Sequence, residues 1–222
     1  MATLIQKSVR IGDVVRNARV FNFKNWRVAS ETVNMDSLLQ TVADLFSLLE
    51  ARNVDYLLVG GIALLQYVEG RNTEDIDLIV AVADLKKLLE ITIVHQDDDF
   101  ACGEYHGLQI DFLLTRNRLF DQVRRDYATT QPFVERAIPC ATVEGLLLLK
   151  LYALPALYRL GNFARVGLYE NDIATLLHAY RPALAPLFEQ LQTHLSASDY
   201  QAVREVVADI ERRITRFDAG AN

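Results

Sequence analysis

Apolar and polar positions follow two different rhythms along this chain, and the change falls near residue 140. Leu38, Leu39, Val42, Leu45, Phe46 and Leu49 recur at helical spacing, with Asp36 placed as an N-cap and Asn53 as the stop. Residues 54–59 form a short apolar run that predicts a buried strand. Gly60-Gly61 then turns the chain into a short helix over 62–68, 71–74 reads as a loop, and 75–81 as the next strand. Residues 82–90 read as helical. Strands are predicted over 91–94, 100–105 and 108–114, the last two joined by a tight turn at His106-Gly107. A helix over 119–128 and one short strand over 133–138 complete this half.

After Pro139 the strand signal stops. Thr142 is placed to cap a strongly apolar helix, and further helices are predicted around 171–180, 183–195 and 198–217. The last opens on Ser198-Asp-Tyr-Gln201, a capping-box pattern. Ahead of residue 35, Val14-Val15 and the stretch Arg19–Phe23 suggest a strand or hairpin. The division expected is an arm (1–34), an α/β half (35–140) and an all-helical half (141–222), an α/β (α+β) chain.

Composition narrows the class. With 222 residues, 51% hydrophobic and 23% charged, the chain can bury a proper core and is not disordered. The longest apolar stretch, 146–158, is broken by Lys150 and Pro155 and is too short to span a bilayer, so no membrane partner is expected. Residues 1–7 lack the apolar core of a signal peptide, and Cys102 and Cys140 alone build neither a disulfide framework nor a four-ligand zinc site. A reducing cytoplasm is the expected location. The net charge of −6 argues against a nucleic-acid coat protein, but the arm carries +4 and the remainder −10. A basic arm suits a polyanion; a solvated extension or a subunit contact, such as a homodimer through the arm, accounts for it more simply.

The chemistry concentrates between residues 58 and 114. Gly60-Gly61 lets the backbone turn sharply after a strand and leaves N–H groups of the following helix ready for a phosphate. Neither a P-loop nor a dinucleotide fingerprint occurs. In Asp75-Ile-Asp77, strand alternation puts both carboxylates on one face, roughly 6.5–7 Å apart along the chain. Side-by-side carboxylates repel unless a cation lies between them, and oxygen-only ligands near phosphate favour Mg²⁺. Asp111 is the lone acid of an otherwise apolar strand, opposite in face to Ile110, Phe112 and Leu114. Three acids on neighbouring strands make a two-metal phosphoryl-transfer site; edge-strand acids facing water are the plainer alternative.

Val59-Gly60-Gly61, thirteen intervening residues, then Asp75-Ile76-Asp77-Leu78 and a later strand acid resembles the signature of the DNA polymerase β-like nucleotidyltransferase superfamily. The Arg71-Asn-Thr73 lead-in and the helical C-terminal half look most like its AbiEii-type toxins and their relatives. The resemblance implies a nucleotidyltransferase fold, with a mixed β-sheet flanked by helices. It implies that Gly60 and Gly61 hold an NTP triphosphate with Arg71 and Thr73, and that Asp75, Asp77 and Asp111 ligate two Mg²⁺ ions. Asp111 would also help deprotonate the attacking hydroxyl. The implied acceptor is tRNA, with an antitoxin protein as partner. Alternatives are a protein side chain or a small molecule of the aminoglycoside type as acceptor, or a non-catalytic nucleotide- or partner-binding module of the same fold.

The helical half adds two residues. Lys150 interrupts a run of leucines, where a lysine is costly unless its ammonium reaches water or an anion. Similar proteins use a lysine there on the nucleotide phosphates, so Lys150 is expected to face the triphosphate without an internal partner. Asp172 sits where such proteins place an acid at the start of the next helix, but Leu168-Tyr169 replaces the basic-acidic pair usual before it. An acid complementing a helix dipole explains Asp172 equally well. Asp97-Asp98-Asp99 reads as a solvated turn. His95, His106, His178 and His194 show no zinc spacing, and Cys102 with His106 is too little for a metal. Arg212, Arg213 and Arg216 suit a helix C-terminus.

Overall fold

The computed structural model describes residues 35–68, 75–133 and 136–220. The basic arm, with its expected strand or hairpin, lies outside the described residues, as do Arg71 and Thr73. The chain divides into two compact units between Ala141 and Thr142.

Within the described residues the first unit begins with α1 (Met35–Ala51), which buries Val42, Leu45, Phe46 and Leu49. The helix already includes Asp36, so that residue is not its N-cap. Asn53 ends the segment in the left-handed region (φ +48°), as its short polar side chain permits. There follow β1 (Tyr56–Val59), α2 (Gly60–Leu64), β2 (Ile76–Val80), α3 (Val82–Leu85) and β3 (Thr92–Gln96). Next come β4 (Phe100–Tyr105), β5 (Leu108–Leu114), α4 (Arg118–Asp126), β6 (Ala128–Phe133) and β7 (Arg136–Ala141).

Among the described residues the strands form one mixed seven-stranded sheet in the order β3-β4-β5-β2-β1-β7-β6. β2 runs parallel to β5 and antiparallel to β1. Its central strands are apolar because both faces are largely covered: Ile76, Leu78, Ile79 and Val80 of β2 are all buried. β5 alternates instead, with Leu108, Ile110, Phe112 and Leu114 buried and Gln109 and Asp111 on the opposite face. His106 (φ +49°) and Gly107 (φ +80°) make the two-residue turn of the β4–β5 hairpin, and positive φ at both marks a type I′ turn.

The single strand expected over 133–138 is instead a hairpin, β6 paired antiparallel with β7 from Ala128↔Ala141 to Phe133↔Arg136. Two prolines and a polar stretch masked it. Pro132 is tolerated because β6 is an edge strand, and Pro139 because β7 pairs with β1 only at Leu58↔Cys140.

The second unit is all helical, in agreement with the fold class expected: α5 (Val143–Arg159), α6 (Phe163–Tyr180), α7 (Leu184–His194) and α8 (Ala197–Gly220). Thr142 caps α5, its hydroxyl accepting from the Gly145 N–H at 3.3 Å. Leu146, Leu147, Leu148, Leu151 and Leu154 are all buried, so α5 is the central helix of its bundle. From α8, Val203, Val207 and Ile210 supply one buried stripe. Arg212 and Arg213 lie well inside α8, which continues to Gly220, and they pair with Asp209 instead of closing the helix end. Among the described residues, no helix is long and apolar enough to cross a membrane.

The start of α8 also differs from the sequence expectation. Ser196, not Ser198, is the cap: its hydroxyl accepts from the Asp199 N–H at 3.1 Å, and Gln201 turns away to Glu205. Ser196→Ala is therefore expected to lower stability by about 1 kcal/mol, and Ser198→Ala by less than about 0.5 kcal/mol. Urea unfolding of the two variants distinguishes these caps.

Candidate active site

Val59 and Asp77 are directly paired across β1 and β2, so the residue after Val59 stands over the Asp77 side chain. That residue is Gly60, at φ +63°, where a Cβ would fall 1.8 Å from Asp77 Oδ2. No other amino acid fits both the dihedral and the space. The short helix begins at Gly60, two residues earlier than expected. The Gly61 N–H, an orphan donor of its first turn, donates to Asp77 Oδ2 at 3.3 Å.

Parallel pairing of β2 with β5 sets Asp77 beside Asp111, and Asp75 immediately precedes β2. Carboxylate oxygens of Asp75, Asp77 and Asp111 all come within 4.8 Å of one another, and all three residues are partly exposed. This is the convergence that their strand parity predicts. Three like charges so close suit a multivalent cation, and the all-oxygen donor set fits a hard one such as Mg²⁺. Asp111 is steadied by its own strand, accepting from Gln109 Nε2 at 3.1 Å.

Cys102 stands opposite Asp111 on β4. Burial, followed by hydrogen bonding to Asp111 and the charges of Asp111 and Asp75, pushes this thiol above its ordinary value. The sequence analysis weighed Cys102 only with His106, discounted the two as a metal site, and did not name Asp111 as its neighbour. The signal was present, since a two-residue turn at His106-Gly107 pairs Tyr105 with Leu108 and, counting back, Cys102 with Asp111. Asp97, by contrast, is the solvated turn expected: its carboxylate accepts from the N–H groups of Asp99 and Phe100, which holds it below the usual carboxylate range.

In the helical unit, Lys150 has the internal partner that the sequence analysis did not expect. Its ammonium donates to Asp172 Oδ2 at 2.6 Å and lies 4.3 Å from the centre of the Tyr169 ring. The two side chains are only 6% and 2% exposed. Lys150 neither snorkels to water nor stands alone, because the α5–α6 hairpin brings residues 22 apart in sequence to one level. Asp172 lies ten residues into the α6 span, so it complements no helix N-terminus.

The chain matches no family model and no curated protein, but solved structures resemble it. An antigenic nucleotidyltransferase-like protein from Paracoccidioides brasiliensis superposes with a TM-score of 0.51 at 19% identity, over 79% of this chain and 93% of that one. ANT(2'')-Ia, solved in complex with adenylyl-2''-tobramycin, gives 0.51 at 12% identity, over 76% and 98% respectively. These likenesses establish that the chain has the nucleotidyltransferase fold.

Two substitutions test the geometry. Gly60→Ala drives a methyl group into Asp77 and is expected to destabilise the protein by about 1–3 kcal/mol, measured by thermal unfolding. Asp172→Ala strands a buried ammonium and is expected to cost about 3–5 kcal/mol. The double variant Lys150→Met/Asp172→Leu should recover most of that loss in the same unfolding assay.

Proposed function

We propose that this protein is a nucleotidyltransferase that moves a nucleoside monophosphate from an NTP to a hydroxyl acceptor and releases pyrophosphate. The observation that carries this is the approach of the Asp75, Asp77 and Asp111 carboxylates to within 4.8 Å, beside a glycine turn on the fold of known nucleotidyltransferases. Structural scaffolding alone gives no reason to gather three like charges on one sheet face.

Each residue has a part. Asp75 and Asp77 would hold divalent metal ions, and Asp111 would complete the set. Two Mg²⁺ ions would supply charge neutralisation at the transferring phosphoryl group and a lowered pKa for the acceptor hydroxyl. Gly60 and Gly61 would bring the backbone turn that holds Asp77 against the triphosphate, and Asp111 would accept the acceptor's proton. Arg71 and Thr73 belong to this reading as further phosphate contacts. Lys150 and Asp172 enter it as a mutually neutralising pair that shapes the helical half, not as phosphate ligands.

A small cationic acceptor is favoured over tRNA. The 35–222 body carries −10, and ANT(2'')-Ia, whose structure holds an adenylylated tobramycin, has the same fold. The toxin-like alternative, with an RNA acceptor and an antitoxin partner, rests on the +4 arm.

The decisive experiment incubates the protein with each α-labelled NTP and Mg²⁺ against polyamine-type and aminocyclitol acceptors, total RNA and protein. Label transfer with pyrophosphate release is expected, and Asp77→Asn should abolish it while leaving the melting temperature equal or slightly higher, as one repelling charge is gone. Equal transfer by parent and Asp77→Asn would place the chemistry elsewhere. No transfer from any NTP to any of the acceptors would favour the non-catalytic module.

A further inference from the structure

The acidic triad is one end of a longer row of metal-binding side chains. Strand pairing runs Asp77↔Asp111 from β2 to β5, Asp111↔Cys102 from β5 to β4, and Cys102↔His95 from β4 to β3. Directly paired residues share a face, with Cβ atoms about 4.5–5.5 Å apart. Carboxylate, thiol and imidazole are thus set side by side across three adjacent strands.

A bulge brings His95 into this row. The β3–β4 register slips between Ile93 and His95, leaving one extra residue on β3. Ile93 pairs with Gly103 and approaches its α-carbon side, where an added Cβ would come 3.3 Å from Ile93 Cδ1. Gln96 pairs with the buried Ala101. Both therefore belong to the face opposite Cys102, and without the bulge His95 would join them. Re-aiming one side chain is what bulges beside sites do. The His95 side chain is 72% exposed and lies 4.0 Å from Asp97, so its donor closes on Cys102 and Asp111 only when the ring turns from Asp97 toward them.

We propose that His95, Cys102 and Asp111 form a second cation site, for a borderline-soft divalent ion such as Zn²⁺, on the sheet face next to the acidic triad. Imidazole, thiolate and carboxylate with one water is a tetrahedral donor set that zinc accepts and Mg²⁺ does not. As the ion binds, the Cys102 S–H bond breaks, its proton passes to solvent, and a metal–sulfur bond replaces it. Asp111 belongs to both sites, so filling the second withdraws a ligand from the first. Zinc then inhibits nucleotide transfer, a consequence that rests on the functional reading above, whereas the site itself does not.

Cobalt(II) reports the site in the full-length protein without any activity assay. The parent is expected to develop a sulfur-to-cobalt charge-transfer band on titration, and Cys102→Ser to lose it. His95→Ala should weaken cobalt binding by about tenfold or more. Cys140 is fully buried and cannot supply the band. Asp77→Asn should keep it, which separates this site from the triad. No band in the parent, a band surviving Cys102→Ser, or cobalt affinity unchanged in His95→Ala would each overturn the proposal. A band in a protein that transfers no nucleotide would sustain the site and sink the functional reading instead.

Discussion

Gly60 and Asp77 occupy almost the same space, and the arrangement of the site follows from that. A side chain at residue 60 would overlap the carboxylate, so the backbone itself closes over Asp77 and delivers the Gly61 N–H to it. The approach is possible because antiparallel pairing puts Val59 opposite Asp77, and because the chain turns at once into α2. The β2–β5 register then carries the constraint sideways to Asp111. The glycine turn and the acidic cluster are therefore a single device, in which one residue's absence of a side chain sets the orientation of another's charge.

The two units handle charge in opposite ways. In the helical unit, Lys150 and Asp172 are withdrawn from water and neutralise each other at 2.6 Å, with Tyr169 against the ammonium. Such a pair adds little net stability over an apolar one but makes wrong helix registers expensive, because a slip leaves a bare charge inside. In the α/β unit, like charges are gathered where solvent still reaches them. The first arrangement is complete as it stands. The second is complementary to something of opposite sign.

Most of the α/β half was legible because its signals are local. Alternation in 108–114 gave β5 its bounds and put Asp111 on the face away from Ile110 and Phe112, and the Asp75-Ile-Asp77 spacing gave the acids a common face. What escaped was either non-local or overridden. The Lys150–Asp172 contact depends on how α6 folds back on α5, which no periodicity encodes. The β6–β7 hairpin was hidden by prolines that an edge strand tolerates. The cap of α8 was misplaced by two residues because Ser196 and Ser198 offer the same hydroxyl, and only backbone geometry chooses between them. The His95 bulge leaves no mark in composition at all.

The type I′ turn at His106-Gly107 has a bearing on the order in which the site comes into being. A hairpin with a two-residue connection closes locally, in about 1–10 μs for isolated examples, so Asp111 gains its neighbour Cys102 early. Asp77 arrives by the parallel β2–β5 pairing, whose partners lie 34 residues apart, as in Asp77↔Asp111, and pairings of that kind pay a larger loop-closure cost before contacts reward them. The triad is then among the late products of folding. A partly folded chain holds isolated carboxylates with weak affinity for cations, and only the completed sheet concentrates them. A divalent cation held by the completed triad and not by the unfolded chain would draw the folding equilibrium toward the native state by mass action.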